Sequence, residues 1–264
     1  MLEIRWKCVL SRLISHEELK DVGDRLMQAV SMFHRNSLSV NFKSENDAVS
    51  DFDFFLERKL IDELCFLDPG VPILSEEKIN ICGSDSAWIV DPLDGTSNYI
   101  QGLSPSAIVA AKVVCTDVLA SIIVDISSGD IYTAIKEDGA RLNGNPLIFK
   151  PPVIKLVGVS TGYLKRGGQI PKQWNARILG SQALHLCMVA RGIFLGCVNY
   201  EAKAWDDVAG CLIVSESGGA YRNQFPDTNW VKLAVDGSSL GSVAARNSED
   251  FETIHTLVME SNYG

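Results

Sequence analysis

The chain has 264 residues, 46% hydrophobic and 22% charged, with a formal net charge of −9. That is ordinary globular composition, long enough for one large core or two fused lobes, and its acidic balance opposes nucleic acid or an anionic membrane as a partner. No apolar run approaches the roughly 18 residues of a spanning helix, and residues 1–13 mix Glu3, Arg5, Lys7 and Arg12 among apolar residues, unlike a signal peptide, so a cytoplasmic location is expected.

The first predicted element is a helix over 15–33. Ser15 and Glu18 have capping-box spacing, and Leu19, Val22, Leu26, Val30 and Phe33 recur on one face. Leu38, Val40 and Phe42 alternate as in a strand, and Lys43, Ser44, Glu45, Asn46 and Asp47 read as a polar loop. Val49-Ser50-Asp51-Phe52-Asp53 leads into a second helix with Leu56, Leu60, Ile61 and Leu64 on one face. Ser50 and Asp53 fit an N-cap and an acid in the first turn, a pairing that stabilises a helix start by roughly 1 kcal/mol. Pro69-Gly70 marks a turn. Residues 71–74 form a short strand ending at Ser75-Glu76-Glu77, and 78–86 a loop.

Next comes Trp88-Ile89-Val90-Asp91-Pro92-Leu93-Asp94-Gly95-Thr96-Ser97-Asn98-Tyr99, an apolar strand that stops at an acid. Pro92 cannot donate to a ladder and keeps Asp91 out of helical geometry. Asp91 and Asp94 flank Leu93 in a tight turn, Gly95 leaves the backbone bare, and Thr96 adds a hydroxyl. Two hard oxygen acids, a bare backbone and a hydroxyl at a strand end suit Mg²⁺ and a phosphate. The competing reading of D-P-x-D-G alone is a surface turn.

Residues 107–114, 119–125 and 131–135 are rich in Val and Ile and separated by tight turns, which predicts an antiparallel meander. Asn143-Gly144 is a further turn, and Pro151-Pro152 marks a boundary between a lobe over 1–150 and a smaller β/α lobe over 151–264. In the second half, 157–160 reads as a strand, Gly180-Ser181 opens an apolar helix running to Gly192, and 194–198 is another strand. A helix starts near Asp206 with Ala209, Leu212, Ile213 and Glu216 on one face and stops at Gly218-Gly219. Residues 243–245 form a last strand and 248–259 a last helix. Helices, an antiparallel sheet and then an alternating half predict a layered α/β sandwich.

The seven cysteines, at 8, 65, 82, 115, 187, 197 and 211, form no C-x-x-C pair and are odd in number, so they read mostly as small buried hydrophobes. His16, His34, His185 and His255 sit apart from the acid motifs, which gives a Ser-His-Asp hydrolase little support.

Three stretches in order, Ser75-Glu76-Glu77, residues 88–99 and Trp205-Asp206-Asp207-Val208-Ala209-Gly210, resemble the inositol monophosphatase family of lithium-sensitive, Mg²⁺-dependent phosphatases. Its pattern runs G-E-E, then W-x-x-D-P-x-D-G-T-x-N-[FY], then W-D-x-x-[AG]-[AG]; here Ser75 stands where glycine is usual. The resemblance implies αβαβα layers and hydrolysis of a small phosphorylated metabolite by direct attack of water. It also implies two to three Mg²⁺ ions, lithium inhibition and a homodimer. Asp91 would bridge two ions. Glu76 and the Leu93 carbonyl would complete the first, with Glu76 also near a third, weakly held ion; Asp94 and Asp206 would complete the second, on the leaving-group side. Glu77 would be a neighbour, and Lys43 resembles the family's mobile-loop lysine. Thr96, oriented by Asp53, would help Glu76 deprotonate a metal-bound water, while the N–H groups of Gly95 and Thr96 hold phosphate. Gly180-Ser181 resembles the family's substrate-touching G-[ST]-x-A.

One position departs. The family places a glutamate seven residues before the W-D aspartate, where this chain has Asn199; Glu201 lies five before. Either Glu201 still reaches the substrate or that contact is lost, which predicts broad specificity among polyol phosphates. Ser97-Asn98-Tyr99 is closer to the inositol phosphatases than to variants with Lys or Arg after the threonine. The alternatives are a fructose-1,6-bisphosphatase, 3′-phosphoadenosine phosphatase or histidinol phosphatase of the same superfamily, or an inactive regulatory binding protein; the last would be favoured by a missing metal acid, and none is missing.

Overall fold

The computed structural model describes residues 13–34, 38–44, 47–78, 84–149, 153–225, 227 and 229–261. Helix α1 (His16–Met32) opens with the expected capping box: the Ser15 hydroxyl accepts from the Glu18 N–H at 3.2 Å, and the Glu18 carboxylate takes the Ser15 N–H at 2.9 Å. The expected polar loop after Phe42 is instead the end of a hairpin. Strand β1 (Val40–Ser44) pairs antiparallel with β2 (Asp47–Ser50), while Glu45 and Asn46 lie outside the described residues. Helix α2 (Asp51–Leu67) follows and buries Phe52, Leu56, Leu60 and Leu64.

A seven-stranded sheet comes next, with strands in chain order: β3 (Ile73–Ser75), β4 (Ser86–Asp94), β5 (Ala107–Val114), β6 (Asp117–Asp125), β7 (Ile131–Ile135), β8 (Gly139–Leu142) and β9 (Asn145–Pro146). Short helix α3 (Thr96–Gln101) lies between β4 and β5. Strands β3 and β4 run parallel; β5, β6 and β7 form the expected antiparallel meander, which β4 on one side and β8 and β9 on the other extend.

The second half adds β10 (Leu156–Val159), α4 (Thr161–Lys165), β11 (Asn175–Arg177), α5 (Gln182–Ala190), β12 (Gly196–Ala202), α6 (Ala204–Glu216), β13 (Ala220–Asn223), α7 (Trp230–Asp236), β14 (Leu240–Ala245) and α8 (Ser248–Ser261). Its five strands lie in the order β11-β10-β12-β14-β13. Strand β10 is parallel to β11 and β12, and β14 is antiparallel to β12 and β13.

Three core clusters define the layers. Leu19 of α1 and Leu56 of α2 pack on Trp88, Ile108 and Ile122. The opposite face of the same sheet, with Ile89, Val109 and Ile123, packs on Leu184 of α5 and Val208 of α6, a cluster that also reaches Cys197 of the second sheet. The far face of that sheet, with Val159, Val198 and Val243, packs on Tyr163 of α4 and on Phe251 and Ile254 of α8. The fold is the expected αβαβα sandwich. Because β5 is covered on both faces, its side chains alternate between two cores, and the strand reads as a continuous apolar run. The expected boundary at Pro151-Pro152 lies outside the described residues, and the central cluster draws on both sides of it. Cys187, Cys197 and Cys211 are buried as expected, but Cys65 is exposed on α2 and Cys115 half-exposed; Cys8 and Cys82 lie outside the described residues.

Candidate metal and phosphate site

The β4–β5 ladder slips near its end. Asp91 lies opposite Val109 and Asp94 opposite Ala107, so Pro92 and Leu93 together face one residue of β5. This β-bulge accommodates a proline, which has no N–H to pair, and re-aims the flanking side chains. Asp91 Oδ1 stitches it by accepting the Leu93 N–H at 2.9 Å. Gly95 then turns the chain with φ +95°; a Cβ there would meet the Pro105 carbonyl oxygen at 3.1 Å and that of Gly180 at 3.2 Å. Glycine is needed for both reasons.

Three helices bring further groups. From α2, Asp53 accepts the Ser50 hydroxyl at 2.6 Å and the Ser50 N–H at 2.8 Å on one oxygen, and faces Thr96 Oγ1 at 2.9 Å with the other. The acid at the helix start is therefore also the partner of Thr96. At the start of α5, Asp94 Oδ2 accepts from the Ser181 hydroxyl and the Ala183 N–H, both at 2.7 Å. At the start of α6, Asp206 accepts the Lys203 N–H at 2.7 Å. Asp91, Asp94 and Asp206 thereby each present an oxygen within 4.8 Å of the others. Glu76, beyond β3, has its carboxylate 3.0 Å from Lys43 Nζ, which also binds Glu77 at 2.6 Å. Burial disfavours the Lys43 charge, but the bonds to Glu77 and Glu76 outweigh it and hold its pKa above the ordinary lysine value.

Burial, reinforced by Glu76, Asp94 and Asp206, pushes Asp91 well above the usual carboxylate range. Burial and Asp94 do the same to Asp206. Asp94 is pushed by burial up to about 6, although Ser181, Ala183 and Gln182 donate to it. So many acids in so small a volume repel one another unless a cation joins them. The donors are all hard carboxylate and carbonyl oxygens with no thiolate or imidazole among them, a set that fits Mg²⁺.

Two cavities of about 210 Å³ each meet here, sharing Asp94, Gly180 and Asp206. One is lined by Glu76, Asp91, Leu93, Gly95 and Thr96. The other extends past Ser181 to Ser160, Thr161, His185, Asn199 and Glu201. A larger apolar cavity of about 550 Å³, at the β8–β9 edge, contains none of the acids.

The second cavity shows how Asn199 and Glu201 differ. Strand β12 also bulges: Asn199 lies opposite Ser242 and Ala202 opposite Leu240, so Tyr200 and Glu201 face only Gly241. Asn199 is buried, and its Oδ1 accepts the N–H groups of Glu201 at 2.8 Å and Ala202 at 3.1 Å. Glu201 is exposed, and its carboxylate lies over Gly162 of α4, where a Cβ would be 2.4 Å from Oε1.

Three contributors had no role in the sequence reading. Asn98 donates to the carbonyls of Pro105 at 2.8 Å and Leu179 at 2.7 Å, tying the Gly95 turn to the Gly180 turn; its place in the 88–99 motif was a signal. His185 Nε2 accepts the Leu179 N–H at 3.0 Å from within the core. Asp207 is wholly buried and bonded to Gln182. For Asp207 no local pattern exists, because its partner is 25 positions away; for His185 the partner is six positions away, across a turn whose shape the sequence does not show.

The model of the inositol monophosphatase family matches residues 12–262. An inositol-1-monophosphatase of Rhizobium meliloti is 33% identical over 198 residues, covering 69% of this chain and 75% of that protein. The Nus factor SuhB of Pasteurella multocida is 32% identical over 200 residues, covering 70% and 75%. Among solved structures, an IMPase/NADP phosphatase complexed with Mg²⁺ and phosphate superposes with a TM-score of 0.72 at 20% identity, covering 94% of this chain and 93% of that one.

Proposed function

The chain belongs to the inositol monophosphatase family, and from that premise we propose that it is a Mg²⁺-dependent phosphomonoesterase of small polyol and sugar phosphates, inositol 1-phosphate among them. The convergence of Asp91, Asp94 and Asp206 within 4.8 Å at the floor of a cavity carries this reading. Glu76, Asp91 and the Leu93 carbonyl would hold one ion and Asp91, Asp94 and Asp206 a second, with a third weakly held near Glu76. When bound, the ions supply the charge that neutralises the phosphoryl oxygens, activates water and supports the leaving oxygen.

The chain's own groups do the rest. Thr96 Oγ1 has one proton and lies 2.9 Å from both Asp53 Oδ1 and the Leu93 carbonyl oxygen. Donation to Asp53 leaves an Oγ1 lone pair free to accept from the attacking water, whose proton passes towards Glu76 as general base. Burial raises the pKa of Asp53, while its bonds from Ser50 and Thr96 pull it back towards the ionised form that orients the hydroxyl. The N–H groups of Gly95 and Thr96 would hold the phosphate, and Gly180 and Ser181 would border the leaving group.

Among the described residues, no Lys or Arg lines the second cavity, and Glu201 is its one acid outside the metal set. A second phosphate there would find no cation, which favours monophosphates of neutral polyols over bisphosphates. Glu201 takes the hydroxyl-binding role in this proposal, because the Asn199 carbonyl oxygen is committed to the bulge. Homodimeric assembly and cytoplasmic residence also belong to the proposal; light scattering reads the first.

The test is phosphate release from inositol 1-phosphate, glycerol 2-phosphate, a hexose monophosphate and fructose 1,6-bisphosphate, with Mg²⁺ and with EDTA. Mg²⁺-dependent release from all three monophosphates is expected, with loss of rate in millimolar lithium and none in sodium. Release from none of them would overturn the phosphatase reading. A preference above about a hundredfold, around 2.7 kcal/mol, for one monophosphate would overturn breadth alone.

A further inference from the structure

Asp207 follows Asp206 on α6 but takes no part in the acid cavity. Successive helical residues point about 100° apart, so one turn presents Asp206 to the cavity and Asp207 to the protein interior. The Asp207 carboxylate is wholly buried and accepts from Gln182 Nε2 at 2.7 Å, from the Tyr221 hydroxyl at 2.8 Å and from Ser242. All three of these donors are neutral.

Gln182 is the first residue of α5. Its own N–H lies 3.3 Å from Asp94 Oδ1, beside the tighter bonds from Ser181 and Ala183. A single side-chain bridge therefore joins the turn that cradles Asp94 to the turn that carries Asp206. The bridge is an unfavourable structure in isolation. Gln182 Oε1 is buried without a partner, and a buried carboxylate held only by neutral donors carries its desolvation cost with no opposite charge to offset it. Asp94 and Asp206 repel each other across less than 4.8 Å, and a tie between their helices opposes that repulsion.

We infer that Asp207 is a positioning residue for the metal site: through Gln182 it fixes the separation of Asp94 and Asp206, and so sets the affinity for the ion they would share. This rests on the Mg²⁺-dependent reading above. The test compares wild type, Asp207→Val, Asp207→Asn and Gln182→Ala. It measures Mg²⁺ binding by calorimetry without substrate, the Mg²⁺ concentration for half-maximal activity, KM for glycerol 2-phosphate at saturating Mg²⁺, and thermal melting in EDTA.

Asp207→Val is expected to weaken Mg²⁺ binding and raise the half-maximal Mg²⁺ concentration by about tenfold or more, the scale on which groups supporting metal ligands act. The melt in EDTA should fall, because the buried donors of Gln182, Tyr221 and Ser242 lose their acceptor, while KM should change less than about threefold. Asp207→Asn, which still offers Gln182 an amide oxygen, should recover most of the affinity. Gln182→Ala should lose as much as Asp207→Val, and the double variant no more than either. Wild-type Mg²⁺ binding in Asp207→Val, or independent additive losses in the double variant, would overturn the inference. Should Asp207→Val fail to fold, equal Mg²⁺ affinity in Gln182→Ala and wild type would overturn it just as well. Absence of Mg²⁺ binding to the wild type would strike the metal reading itself, and this inference with it.

Discussion

Two β-bulges border the joined cavities, one in each sheet, and they are built alike. In β4, Asp91 accepts the N–H two residues on, and the register slips before Asp94. In β12, Asn199 accepts the N–H two residues on, and the register slips before Ala202. Both use a short side-chain oxygen to satisfy an N–H in the stretch where the ladder slips. They differ in what the stitching residue can also do. Asp91 also presents an oxygen within 4.8 Å of those of Asp94 and Asp206, so in the proposed reading that bulge is part of the chemistry. Asn199 is neutral and buried, so that bulge only aims its neighbour Glu201. In the proposed reading, one device serves reaction at one wall and selection at the other.

The sharpest way to break the comparison is Asp91→Asn. The amide oxygen can still stitch the bulge, but the bridging charge is gone. Phosphate release should fall on the order of 10³-fold or more, about 4 kcal/mol. Melting in EDTA should rise, because the repulsion from Glu76, Asp94 and Asp206 is relieved. Near wild-type turnover would remove Asp91 from the reaction and make the two bulges equivalent.

Between the bulges lies the Leu179-Gly180-Ser181 turn, held by His185. Burial pushes the His185 pKa from 6.5 down to about 4. A folded-state pKa below the unfolded one means that protonation favours unfolding. His185 therefore contributes stability that is present above pH 6.5 and is lost as the pH falls towards 4, in total about 3 kcal/mol. In His185→Asn that acid-side loss should be missing when unfolding free energies are compared between pH 7 and pH 4.5. Parallel pH profiles for the two proteins would refute the assignment.

Asn199→Ala should leave two N–H groups of the second bulge without their acceptor, at about 2 kcal/mol in denaturant unfolding. The same change should raise KM for inositol 1-phosphate, because Glu201 loses its aim, and leave kcat nearly unchanged. A drop in kcat without a change in KM would instead give this bulge the role of the first. The smallest expected effect is that of Glu201→Gln: about a tenfold loss in kcat/KM for inositol 1-phosphate, near 1.4 kcal/mol, less for glycerol 2-phosphate, and no change in melting temperature. Equal losses on both substrates would remove Glu201 from polyol recognition.

Much was determined by the sequence alone, where the cause is local. The capping box of Ser15 and Glu18, the apolar face of α2 and the turn at Gly95 all depend on residues within a few positions of one another. Physical chemistry at that range is legible in order and spacing. Pro92 predicts a strand that ends at Asp91 and a tight turn holding Asp91 and Asp94, but β4 runs on to Asp94 and takes up the proline in a bulge, so the chain turns only at Gly95, whose φ few other residues adopt. Short elements without periodicity were not legible: α4, α7, β11 and β13 span 5, 7, 3 and 4 residues, too few for a period to show. Tertiary structure alone set Glu201 exposed and Asn199 buried although both line the cavity, since the register of β12 against β14 decides which side chain a bulge turns outward. It alone joined Gln182 to Asp207 across 25 positions of sequence. Spacing along the chain carries no information about two helix starts that meet only once both sheets have closed around them.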